Sequence, residues 1–151
     1  MTLWSVVLAL HILSAVIWVG GMFFALVVLR PSLSGLEPAP RVAVHNQVFR
    51  RFFLVIWHVM PIALITGYAM LFGVYGGFGG ANWAIQTMQG LGLIMAAVFL
   101  AVFFGPWPRF RAAVSPARAG AAADMIRKLI LLNLVLGLVT ACVAAFGRTT
   151  W

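Results

Sequence analysis

The chain has 151 residues, 64% of them apolar and 8% charged, with a formal net charge of +8. A water-facing surface takes roughly a quarter of residues charged, so a soluble domain is excluded and lipid must be the solvent. The only acids are Glu37 and Asp124, which excludes paired-carboxylate catalysis, and the basic residues sit at the ends of apolar runs, the pattern of membrane topology rather than of nucleic-acid binding.

A helix needs about 20 apolar residues to cross a bilayer, and four stretches meet that. The first covers 3–29 and stops at Arg30-Pro31. It has no basic n-region and is too long for a cleavable signal. Pro38 and Pro40 then open a polar helical stem carrying Arg41, His45, Arg50 and Arg51 into a second span, 52–74, which ends in the cluster Gly76, Gly77, Gly79 and Gly80. That cluster lacks the Lys-Ser/Thr of a phosphate loop. The third span, 83–104, stops at Gly105-Pro106. Ser115-Pro116 reads as an N-cap followed by a first-turn proline, opening a second stem with Arg118, Arg127 and Lys128 that enters the fourth span, 129–147. No segment alternates as a barrel strand would.

The expected fold is therefore all-α: one domain over 1–151, a polytopic four-transmembrane-helix antiparallel bundle with two helices extended into the cytoplasm. Both basic loops fall on one side, which the positive-inside rule makes cytoplasmic, with both termini outside. Arg148 is the one dissenting charge. Trp4, Trp83 and Trp151 are expected in an outer aromatic belt and Trp107 in an inner one. Cys142, the single cysteine, excludes an internal disulfide and reads as a small packing residue. His45 reads as a solvated loop histidine.

Polar side chains inside a span call for a reason. By the helical rise, His11 and Gln89 lie roughly 8 Å outward of the midplane, and His58 and Asn133 roughly 7 Å inward. An outer layer thus holds His11, Gln86, Gln89, Thr66, Tyr68 and Thr140, and an inner layer holds His58 and Asn133. Histidines about 15 Å apart along the normal share neither one ion nor one haem iron. Four stripes are expected to face the bundle interior at helical spacing. These are His11, Ala15, Trp18 and Met22; His58, Pro61, Ile65 and Tyr68; Gln86, Gln89 and Leu93; and Asn133, Gly137 and Thr140.

The run Leu10-His11-Ile12-Leu13-Ser14-Ala15-Val16-Ile17-Trp18-Val19-Gly20-Gly21-Met22 resembles the CopD-like membrane family, that of copper resistance protein D. Phe49-Arg50-Arg51-Phe52-Phe53, Thr66-Gly67-Tyr68, Met88-Gln89-Gly90-Leu91-Gly92 and Asn133-Leu134-Val135-Leu136-Gly137 are similar to it too. The resemblance implies copper handling in a bacterial inner membrane near His11, with help from methionines such as Met22 and Met88; His58 is a separate candidate metal ligand, as an ionisable residue inside a span. The same pattern is similar to HemJ-type four-helix haem proteins. That likeness implies haem b with His11 as axial ligand, Trp18, Gly21 and Gln89 around the cofactor, and, for an enzyme, a haem-dependent membrane oxidoreductase. HemJ-type chains carry a lysine early in the third span, where this one reads Gln86-Thr87-Met88-Gln89. A third reading is a cofactor-free subunit whose small-residue stripes pack on a homo-oligomer copy or another membrane protein.

Overall fold

The structure, a computed structural model, describes residues 2–147. Arg148 and Trp151, expected as a stray charge and a belt residue, lie outside the described residues. Helix α1 (Leu3–Phe23) starts where Thr2 Oγ1 accepts from Ser5 N at 3.3 Å. It runs on through a π-helical stretch, Phe24–Leu29, into the single turn α2 (Arg30–Ser32). Proline 31 lacks the N–H that would continue the ladder, and the chain leaves the helix soon after.

Helix α3 spans Pro38–Gly73, so stem and span are one 36-residue helix with Pro61 inside it. Its end turns on Gly76 and Gly77, at φ 71° and 93°, values that L side chains rarely adopt. The Gly77 N–H closes the turn on the Leu71 carbonyl at 2.8 Å. Helix α4 (Trp83–Phe104) is capped by Asn82, whose Oδ1 accepts from Ile85 N at 3.0 Å. Gly105 breaks the line, and the short α5 (Pro106–Arg111) follows. Helix α6 (Pro116–Gly147) carries the second stem and fourth span as one element. The Ser115 hydroxyl accepts from Arg118 N at 3.4 Å, as a capping serine should.

Among the described residues four helices are long and apolar enough to cross a membrane: Leu3–Ser32, Pro38–Gly73, Trp83–Arg111 and Pro116–Gly147. Helix α1 packs chiefly on α3, and α4 on α6, with α1–α6 and α3–α4 contacts closing the bundle. The outside is apolar: Ile65 is 68% exposed and Phe104 69%. That inversion of a soluble surface is what a lipid solvent requires.

The main core lies toward the basic end. Phe53, Ile56, Met60, Phe99, Trp107 and Ile126 belong to it, together with Trp18 and Met22. Its aromatic centre is Phe53, whose ring centroid lies 5.1 Å from that of Trp107 in an edge-on contact. Trp107 is thus a core residue, 4% exposed, rather than the inner belt residue expected. The proline-flanked turn of α5 folds it inward, where it stacks on Phe110 and takes the Arg111 guanidinium over its face. Trp4 and Trp83 are exposed. Cys142 is exposed rather than packed, because the buried side of α6 runs through Ile130, Asn133, Leu134 and Gly137.

Candidate functional site

His11 points from α1 into the seam with α3. Its Nδ1 lies 2.9 Å from the Ala63 carbonyl oxygen and 3.1 Å from Thr66 Oγ1. A carbonyl only accepts, so Nδ1 carries the proton. The Thr66 hydroxyl donates to the Ile62 carbonyl at 2.5 Å, so it also meets His11 as an acceptor. The neutral ring then holds its free lone pair on Nε2, the form in which an imidazole ligates a metal.

Glycine 67 makes this possible. A Cβ there would lie 3.1 Å from His11 Cε1 and 3.7 Å from Gln89 Nε2. Gln89, on α4, donates to the Gly67 carbonyl at 3.2 Å. Residues from α1, α3 and α4 therefore meet at one level: His11 on Ala63 and Thr66, and Gln89 on Gly67.

All three histidines donate Nδ1–H to a backbone carbonyl, but only His11 does so across a helix contact. His58 bonds the Leu54 carbonyl at 2.7 Å and His45 the Arg41 carbonyl at 2.9 Å, each one turn back on its own helix. His58 is exposed on the outer face of α3, as is Ile65, so the stripe expected to run inward through them does not. The inward side of α3 runs instead through Phe53, Ile56, Met60, Ala63, Thr66 and Gly67. His45 is half-buried beside Phe49.

The other expected site residues lie apart from His11. Trp18 and Met22 are buried in the main core, roughly 10 and 16 Å along α1 from His11 by helical rise. The space beside Gly21 is filled by Phe52, whose ring lies 3.2 Å from where a Cβ would stand. Gln86 turns back to the Phe78 and Ala81 carbonyls, 3.0 Å each, and fastens the glycine loop. Asn133 is buried and donates to the Met95 carbonyl at 3.2 Å, while its Oδ1 has no partner. Thr140 Oγ1 lies 4.0 Å from Met95 Sδ. His58 and Asn133, expected at one level, thus share no site. Ala63 was not expected in the site, since a backbone carbonyl leaves no mark in the sequence. Gly67 left only its small size, and Ser14, three residues after His11, holds the buried position expected of Ala15.

A family model described as copper resistance protein D matches residues 46–146. The chain belongs to that family. No curated protein and no solved structure matches it. The CopD match covers most of α3 and all of α4, α5 and the described α6 up to Phe146, and so includes Thr66, Gly67, Gln89 and Asn133. It leaves α1, and His11 with it, outside. The chain is accordingly a multi-pass membrane protein of a copper-resistance family.

Among the described residues no group of three or more His, Cys, Asp or Glu side chains converges. A closed structural site needs about four ligands. What the His11 seam provides is a single oriented imidazole on a helix contact, with the Gln89 amide bonded to Gly67 beside it.

Proposed function

We propose that this CopD-family chain handles copper as cargo within the membrane, and that the ion is met by Nε2 of His11. One observation carries the reading: the Ala63 carbonyl holds the Nδ1 proton, and so presents Nε2 as the ligating atom. Imidazole nitrogen is a good donor to copper, and an ionisable side chain inside a span marks a pathway by default. Gln89 and Thr66 are positioning residues at that level, and His58 and Met22 take no part. The protein sits in a bacterial inner membrane, with the arginine-bearing ends of its helices cytoplasmic and both termini outside. His11, near the start of α1, then meets copper from the outer side.

The test is Cu(I) competition against a chromophoric chelator, using detergent-purified protein, with copper tolerance of cells carrying each variant beside it. Copper binding should be lost in His11→Ala and kept in His58→Ala. Wild-type binding and tolerance in His11→Ala would overturn the proposal and leave the cofactor-free subunit. A Soret band present in the purified protein and absent in His11→Ala would replace copper by haem b as the group that His11 holds.

A further inference from the structure

At the basic end of the bundle, away from His11, a cavity of about 520 Å³ opens between the end of the first span, the stem of α3, α5 and the stem of α6. That volume lies within the roughly 300–1,000 Å³ of small-ligand pockets. Its lining includes Arg30, Arg41 and Arg127 against one acid, Asp124. Asp124 is already engaged, accepting from Arg127 at 2.7 Å and from Lys128 at 3.1 Å. Arg30 and Arg41 form no ion pair among the described residues. Arg41 is clamped in place, its Nη2 donating to the Ser34 carbonyl at 2.8 Å and to the Leu36 carbonyl, while its buried Nε has no partner. The site therefore holds positive charge that no acid answers and one buried unpaired donor, features that an anion would complement.

Apart from Ser34 and His45, the rest of the wall is apolar. Leu29, Phe49 and Ile130 line it, and Arg30 and Arg127 sit where the apolar runs of their helices end or begin. That is the depth of lipid phosphates. A free phosphate would satisfy the arginines and leave the apolar wall wet. A phospholipid satisfies both, its phosphate on the guanidiniums and its upper acyl chain on the wall. Basic pockets between transmembrane helices take anionic headgroups on these grounds, and the guanidinium fork fits phosphate oxygens in pairs. We propose that this cavity is a binding site for an anionic phospholipid, with Arg41 and Arg30 as the phosphate donors.

Gly120 supplies a test that leaves the charges alone. It lines the cavity, and a Cβ there would meet nothing within 4 Å. Gly120→Leu should therefore fold, with a gain in helix propensity, while filling the space. Bound lipid would be read by native mass spectrometry of the full chain, delipidated in detergent and titrated with phosphatidylglycerol, phosphatidylcholine or inorganic phosphate. Phosphatidylglycerol should bind at least tenfold more tightly than phosphatidylcholine. Arg30→Gln and Arg41→Gln should each weaken it by roughly tenfold, the worth of one charge-assisted hydrogen bond. Gly120→Leu should abolish it, and Arg109→Gln, outside the cavity, should leave it unchanged. Equal binding of the two lipids, or equal losses in Arg30→Gln and Arg109→Gln, would overturn the proposal. So would displacement of the lipid by millimolar inorganic phosphate, which would mark a free-anion site. Should Arg41→Gln fail to fold, Arg30→Gln and Gly120→Leu decide the matter.

Discussion

The His11 Nδ1–H donates to the Ala63 carbonyl at 2.9 Å, across the contact between α1 and α3. A tertiary contact, rather than the histidine's own helix, thus fixes both the tautomer and the direction of the ring. Replacing His11 by Gln keeps a donor of similar reach for Ala63 but removes the ring nitrogen. His11→Gln should therefore retain fold and thermal stability better than His11→Ala while losing Cu(I) binding equally. Circular-dichroism melts in detergent beside chelator competition would separate the two roles.

Gly67 tests the same geometry with the histidine in place. In Gly67→Ala the new methyl falls 3.1 Å from His11 Cε1, tighter than ordinary contact, so the ring must turn or withdraw. The helix gains about 1 kcal/mol of propensity from losing a glycine, which offsets the strain of overpacking. Stability should consequently stay within about 1 kcal/mol of wild type on those two opposed terms, while copper affinity falls toward that of His11→Ala. Unchanged affinity would mean that the ring's orientation does not matter.

Two further glycines separate close packing from open space. A Cβ at Gly137 would stand 2.7 Å from Val19 Cγ2 and 3.1 Å from Met95 Cε, and valine is stiff at χ1. Gly137→Ala should destabilise the bundle by about 1–3 kcal/mol. Gly120→Ala, in open space, should be neutral or stabilising by up to about 1 kcal/mol. Reversible unfolding in mixed micelles would rank them, and a neutral Gly137→Ala would show that α1 and α6 can part without cost.

Asp124 lies in the stem of α6, ahead of the apolar run. The hydrogen bond from Arg127, then that from Lys128, holds its carboxyl below the usual aspartate range. A carboxyl with a lowered folded-state pKa contributes stability that is fully present above its unfolded value, near 4. That contribution is lost as pH falls through the lower folded value. Asp124→Asn should therefore remove part of the acid-side fall in melting temperature below about pH 4. At pH 7 it should change the melting temperature little, because exposed pairs are worth little. An acid limb identical in the variant would assign that fall to other groups.

The bundle was legible because its signals are one-dimensional. Apolar runs, Arg30-Pro31, Ser115-Pro116 and the glycine cluster each mark a boundary in the chain itself. The outer polar layer was legible as well, since helical rise alone puts His11 and Gln89 at one depth. What depth does not give is rotation about the helix axis. Helical rise puts His58 and Asn133 at one depth, yet one faces outward and the other is buried. Trp107 illustrates the same gap, since its direction depends on the short α5, where helical periodicity has too few residues to act. The Ala63 carbonyl and the basic cavity arise only when distant helices meet.

Asn133 offers the sharpest contrast between a structural and a functional polar residue. It is 3% exposed, with its Oδ1 unpartnered and a single bond to the Met95 carbonyl. Interhelical bonds of this kind average about 0.6 kcal/mol, and an unpaired buried oxygen offsets even that. Leucine is close in size and carries no polar group. Asn133→Leu should thus change stability by less than about 1 kcal/mol in either direction. Asn133→Asp, which puts a carboxylate at the same place, should cost about 2.5–3.5 kcal/mol. Met95 lies six residues beyond Gln89 on α4, about 9 Å by helical rise, so copper affinity should be untouched in Asn133→Leu. Unfolding midpoints and chelator competition on the same preparations decide it, and a loss of copper binding in Asn133→Leu would move the proposed copper contact from the α1–α3 seam toward α6.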